Sequence, residues 1–309
     1  MLQLLLLALL AAQTPGASTS ASAGPALRIA AASDLRFALD EVLTSFRAAN
    51  PTLKVEATYG SSGNFFAQIR EGAPFDVFLS ADSEYTRRLA GEGLAEAPFP
   101  YAVGRLALVV RKESGLDPRG LGDLLRSPAI RRIAIANPAH APYGRAAEAA
   151  LKTWRIYDLV ATKLVLGENV SQAAQFVDTG AAQAGLVALA LVKVKPGDFA
   201  FAEVPENTHP PLDQAGAVLK RSACLETARS FQAYLTGETA RAILARHGLG
   251  LPKRQQPVAK VSRHSTNAAS RLGFFAQKPE YARYSGSSAH RQAGASLVSV
   301  LRPTFTTDC

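Results

Sequence analysis

Between Gly60 and Asp82 the chain reads GSSGNFFAQIREGAPFDVFLSAD. The small-residue turn Gly60-Ser-Ser-Gly63 opens a helix from about Asn64 to Glu71, and Gly72-Ala-Pro74 ends it. The apolar run Asp76-Val-Phe-Leu79 then reads as a buried strand, and Asp82 is placed to cap a further helix reaching about Ala90. A turn, a helix, a second turn and a strand in so short a stretch give the unit from which parallel α/β layers are built.

The same alternation extends in both directions. Toward the N-terminus, Leu53, Val55, Ala57 and Tyr59 alternate as a half-buried strand. Before them Leu35, Ala38, Leu39, Val42, Leu43 and Phe46 recur at helical spacing until Asn50-Pro51, and Leu27-Arg-Ile-Ala-Ala-Ala32 is a first strand. Toward the C-terminus, Ala102 to Arg111 (AVGRLALVVR) reads as one long strand passing from one domain to another. Beyond it come strands at Arg132–Ala136, Lys163–Leu166, Ala184–Val187 and Phe199–Glu203, with helices from about Gly144 to Trp154 and through Val177. A strand at Gly216–Leu219 and two helices, about 224 to 235 and 238 to 246, close the pattern. The expected fold is two α/β lobes, each a mostly parallel sheet flanked by helices, with a ligand cleft between them. Residues 24–101 and 206–252 make lobe I, and 102–205 are inserted as lobe II, with connecting strands near residues 102 and 205.

The two ends differ from this core. Residues 1–23 hold the short apolar run LLLLALLAA and then Ala21-Ser-Ala23, the pattern of a secretory signal cleaved before Gly24, and this predicts export to the periplasm. No Lys or Arg precedes Arg28. Residues 253–309 lose all periodicity, carry +7 of the net charge of +9, and are expected to be a disordered basic tail. The remaining +2 leaves the core nearly neutral, so anion selectivity has to come from a local site, and a nucleic-acid partner is not expected. Cys224 and Cys309 do not make a disulfide framework.

Four strand ends share one design, a small or kinked turn followed by a helix: Ala32-Ser33-Asp34, Gly60-Ser-Ser-Gly63, Ala141-Pro-Tyr-Gly144 and Glu168-Asn-Val-Ser171. The first amides of a helix lack intrahelical acceptors and carry partial positive charge, so several such starts converging on one cavity hold an anion without Lys or Arg. Hydroxyls of Ser33, Ser62 and Tyr143 add neutral donors, which suits a deprotonated oxyanion that only accepts. Singly, each of these turns is also an ordinary helix cap. The strength lies in four of them at carboxyl ends of strands, where open α/β sheets bind ligands.

The stretches AAASDLRFALDEV, YGSSGNFFAQIREGAPFDVFLSAD, ANPAHAPYGRAAEAAL and LGENVSQAAQFVDTGAAQAGLV resemble, in order and spacing, the periplasmic molybdate-binding proteins of bacterial ABC importers. The resemblance covers Leu27 to Pro252. It implies a class II periplasmic binding protein, no enzyme and without a cofactor, that closes on molybdate or tungstate and delivers it, as a monomer, to a membrane permease. It maps ligand contacts onto Ser33, Ser62, Tyr143 and Val170, with the Asp34 amide as a further donor. Where some members place a Tyr in the segment matching Gly185-Leu-Val-Ala188, this chain has no hydroxyl, and Tyr143 is taken as the phenolic donor. The Asp34 carboxylate, which would repel a dianion, is expected to point away as a cap; Asp76 and Asp82 are expected to be structural.

Three rival readings remain. No Gly-x-Ser-x-Gly elbow or Walker loop is present, and His140, His209 and His247 lack ligand spacing, which argues against an enzyme or a bare metal site. Sulfate or phosphate would use the same fold, and sulfate differs from molybdate in size alone. An effector-sensing domain of a regulator also shares it, but no N-terminal helix-turn-helix precedes the core.

Overall fold

The computed structural model describes residues 26–252. The expected signal segment and the expected basic tail, Cys309 included, lie outside them.

The first sheet is built from β1 (Leu27–Ala32), β2 (Val55–Gly60), β3 (Val77–Ser80), β4 (Phe99–Val103) and, far along the chain, β10 (Asp213–Val218). Its spatial order is β2-β1-β3-β10-β4. Strand β1 pairs in parallel with β2 and β3, whereas β10 runs antiparallel to both β3 and β4. Four strands thus share a direction and one opposes them. Along β1 and β3 both faces are buried, so the residues divide between two cores. Leu27, Ile29, Ala31 and Leu79 pack with α1 (Arg36–Ala49) and the closing helices α9 (Leu225–Leu235) and α10 (Glu238–Arg246). Ala30 and Phe78 face the other way, onto Phe65, Phe66 and Ile69 of α2 (Ser62–Arg70) and Leu89 of α3 (Ser83–Gly91). The period of two sends alternate residues to opposite helix layers, which is why these strands read as continuous apolar runs.

The second sheet repeats the plan with β5 (Leu106–Arg111), β6 (Ile133–Ala136), β7 (Leu164–Gly167), β8 (Ala184–Ala188) and β9 (Phe199–Glu203) in the order β7-β6-β8-β5-β9. Again one strand, β5, is antiparallel to its two neighbours. The helices α4 (Leu121–Arg126), α5 (Pro142–Thr153), α6 (Tyr157–Val160), α7 (Val170–Asp178) and α8 (Leu189–Val192) surround it. Their apolar faces join one core with the sheet, including Ile133, Ile135, Ala147, Leu151, Ala173, Val177 and Leu186.

The stretch Ala102 to Arg111 is two strands in the structure. Gly104 and Arg105 separate β4 in the first sheet from β5 in the second, and residues 204–212 return the chain to β10. A side chain at Gly104 would place its Cβ 2.4 Å from the Tyr143 hydroxyl, so the crossing is narrow enough to require glycine.

Candidate functional site

Each of the four turns sits at the carboxyl end of a parallel strand. Ser33, Asp34 and Leu35 form a single 3-10 turn after β1 and lead into α1; Ser61 precedes α2; Ala141 precedes α5; Asn169 precedes α7. Pro142 occupies the first position of α5, where a missing N–H costs nothing and the fixed φ fits the helix, so that helix begins two residues earlier than the Gly144 start expected. At Gly144 any Cβ would fall 2.2 Å from the Ala136 carbonyl, and this lets α5 press against β6. The Asn169 side chain accepts from the Gln172 amide, a regular cap that leaves Val170, the first helical residue, with no intrahelical acceptor for its N–H.

These turns meet around one small cavity lined by Ala32, Ser33, Asp34, Ser62, Tyr143 and Val170 together with Gly60, Ser61, Ala81, Ala141, Pro142 and Asn169. The cavity is small, with a volume of about 10 Å³, far below the ~300 Å³ at which pockets for larger organic ligands begin. All five residues singled out from the sequence thus come together. No Lys, Arg or His lines the cavity, and Asp34 is the one residue there with an ionisable carboxyl.

The two serines are set up alike. The Ser62 hydroxyl oxygen accepts the Ala81 amide at 3.0 Å and Ser33 Oγ accepts the Ser171 amide at 3.3 Å. With an acceptor site on each oxygen filled from the main chain, the remaining hydroxyl proton is the group left to donate. Both residues are buried, so a partner for that proton has to be found inside.

Asp34 departs from expectation. It caps no helix: α1 begins after Leu35 without a side-chain cap bond. Its carboxyl is buried to 1% exposure, and Oδ2 accepts from the Tyr143 hydroxyl at 3.1 Å and from Gln214 Nε2 at 2.5 Å. Asp34 Oδ1 has no hydrogen-bond partner. Burial pushes the carboxyl up to about 6, against the stabilising bonds from Gln214 and Tyr143. Burial and the neighbouring Asp34 in turn hold the Tyr143 phenol well above its ordinary range, so it stays protonated. The phenolic proton that the sequence reading assigned to a ligand points to Asp34 instead, and what Tyr143 offers the cavity is its place in the first turn of α5. Gln214 leaves one signal in the sequence: a polar residue at the second position of a strand whose next four residues are apolar and buried.

The lobes are closed on each other. Ser61 Oγ donates to the His140 carbonyl at 2.6 Å, and the Gly63 amide donates to the same oxygen at 2.9 Å. Gly63 has to be glycine here, since a Cβ would lie 2.5 Å from that carbonyl. Ser171 Oγ donates to the Ser33 carbonyl at 2.8 Å, and Arg145 pairs with Asp82 at 2.6 Å and reaches the Tyr85 hydroxyl at 3.2 Å. Asp82 also caps α3 by accepting from Glu84, while Asp76 accepts from the Arg28 amide and the Ser222 hydroxyl. Among the described residues no group of three or more His, Cys, Asp or Glu is placed to hold a metal ion.

Residues 27–250 match the family model described as bacterial extracellular solute-binding protein. The molybdate-binding protein ModA of Azotobacter vinelandii is 37% identical over 203 residues, 64% of this chain and 79% of that protein. ModA of Rhodobacter capsulatus is 36% identical over 196 residues, 63% and 76% of the two chains. Among solved structures, the periplasmic molybdate-binding protein of Azotobacter vinelandii superposes with a TM-score of 0.68 at 32% identity, covering 74% of this chain and all of that one. The sulfate-binding protein SubI of Mycobacterium tuberculosis, at 16% identity and a TM-score of 0.59 over 72% of this chain and 86% of its own, shares the fold alone.

Proposed function

Because the chain belongs to the bacterial extracellular solute-binding proteins, and within them with the ModA molybdate-binding proteins, we propose that its interlobe cavity captures molybdate for an ABC importer. Tungstate, of the same charge and shape, is the companion ligand. The protein works as a binding component outside the cytoplasmic membrane, and its partner is the permease that accepts the closed, loaded form.

One observation carries this reading: a cavity of small volume that offers donors from helix starts and serine hydroxyls, with no cation among its lining residues. A fully deprotonated tetrahedral oxyanion presents acceptors on every side and matches such a lining. In this reading the Ser33 and Ser62 hydroxyls and the first-turn amides of Tyr143 and Val170 hold the ligand. Neutral donors aimed in advance compensate for the water the anion gives up, and the helix ends add partial positive charge where a dry interior strengthens it. The lobes rotate about the crossings at Gly104–Arg105 and 204–212, so that donors from both lobes surround the anion only on closure.

The test is a set of thermal melts and calorimetric titrations of the purified protein with molybdate, tungstate, sulfate and phosphate. Ligand at a hundred times its Kd is expected to stabilise the fold by about 2.7 kcal/mol. Molybdate and tungstate are expected to give that shift at the lowest concentrations. A response to phosphate alone, or to none of the four, overturns the proposal.

A further inference from the structure

Asp34 poses a problem that the oxyanion reading leaves open. A carboxyl group lines a cavity meant for a dianion, with no Lys, Arg or His among the lining residues to offset two like charges. The groups that face it are neutral. Tyr143 comes from α5 in the opposite lobe and Gln214 from β10, while Tyr101 on β4 senses its charge and is itself held protonated by burial. Of the helices against the 3-10 turn, α7 brings Val170 and Ser171 and α8 only aliphatic side chains. Arg36, two residues on, lines a separate surface groove with Phe37 and Lys195.

The two oxygens are not equivalent. Oδ2 already accepts two hydrogen bonds, and Oδ1, equally buried, accepts none. An ionised oxygen without a partner is costly in a dry interior, whereas a protonated one becomes a donor. We propose that anion capture is coupled to the uptake of one proton from solvent onto Asp34 Oδ1, which then donates to a ligand oxygen. The O–H bond formed is the only covalent change, and the complex carries one negative charge fewer than its separated parts. The affinity for an unprotonated oxyanion is thereby tied to pH, whereas an oxyanion that carries its own proton can donate to the ionised carboxylate without uptake from solvent. The elevated carboxyl, at about 6 before any anion arrives, is in keeping with this, because a neighbouring dianion pushes it further in the same direction.

This inference rests on the oxyanion reading, and the experiment separates the two. Molybdate is titrated calorimetrically into the full protein between pH 6.5 and 9, a range in which the free anion keeps one protonation state, in buffers of different ionisation enthalpy. The wild type is expected to take up close to one proton per anion at pH 8, with Kd weakening about tenfold per pH unit. Asp34→Asn, which keeps a carbonyl oxygen for Tyr143 and Gln214 and puts an N–H₂ donor in place of the other oxygen, is expected to bind without proton uptake, with a flat pH profile and more tightly than wild type at pH 9. A wild-type Kd independent of pH, with no proton uptake, overturns the coupling and leaves the oxyanion site standing. Absence of binding at every pH overturns both. The wild-type measurement decides the matter even if the variant does not fold.

Discussion

The two lobes face the same cavity with different chemistry. Lobe I presents side chains: the Ser33 and Ser62 hydroxyls, each steadied by a main-chain amide, and the Asp34 carboxyl. Lobe II presents mainly main chain, the starts of α5 and α7; of its two polar lining side chains, Asn169 caps α7 and Tyr143 gives its proton to lobe I. A donor on a side chain is removed by one substitution, whereas a donor on the main chain persists through nearly all of them. The two halves of the site are therefore expected to respond to mutation in opposite ways.

The largest effect is expected from Ser62→Ala. It removes the hydroxyl proposed to donate to the anion and also leaves the buried Ala81 amide without its acceptor. A hydrogen bond to a charged group contributes about 1.5–3 kcal/mol, so molybdate affinity should fall roughly 10- to 100-fold, with some loss of thermal stability besides. An unchanged Kd in titration would break the lobe I half of the contrast. Next is Val170→Pro, aimed at the one kind of lobe II donor that substitution can reach. Proline fits the first helical position, and Asn169 before it is extended at φ −145° and ψ 173°, so the fold should survive while the N–H is lost. A fall of about tenfold in affinity at unchanged melting temperature is the expected result. The smallest effect belongs to Val170→Ala, which keeps the amide; its Kd should stay within about twofold of wild type. If alanine harmed binding as much as proline, the valine side chain and not its amide would be the contact, and the contrast between the lobes would fail.

The elements were legible where the signal is local. Strands β1, β3, β6 and β8 announce themselves as apolar runs because they are covered on both faces, and the four turns do so through Ser, Gly, Asn and Pro at helix starts. Even the Asp82 cap could be read from its place before a helical period. What was not legible depends on partners far away in sequence. The AVGRLALVVR stretch looks like a single strand, and only the tight approach of Tyr143 to Gly104 shows where the chain changes sheets. Asp34 was expected to cap and point away because a carboxylate beside a helix start usually does. Its role is decided by Gln214, 180 residues on, and by Tyr143 from the other lobe, neither of which leaves a mark near position 34. Strand β10, likewise, takes its antiparallel direction from a return path across the second lobe that no local pattern encodes.

That return path governs the order in which the molecule can be made. Every strand of the second sheet lies between Leu106 and Glu203, an unbroken span of chain. The first sheet lacks the strand that belongs between β3 and β4 until Val218 has been added. During synthesis, which proceeds from the N-terminus, the inserted lobe is complete while the lobe that began first still has a gap in its middle. The later lobe is thus able to fold as a unit on the ribosome, and the earlier one has to wait for it.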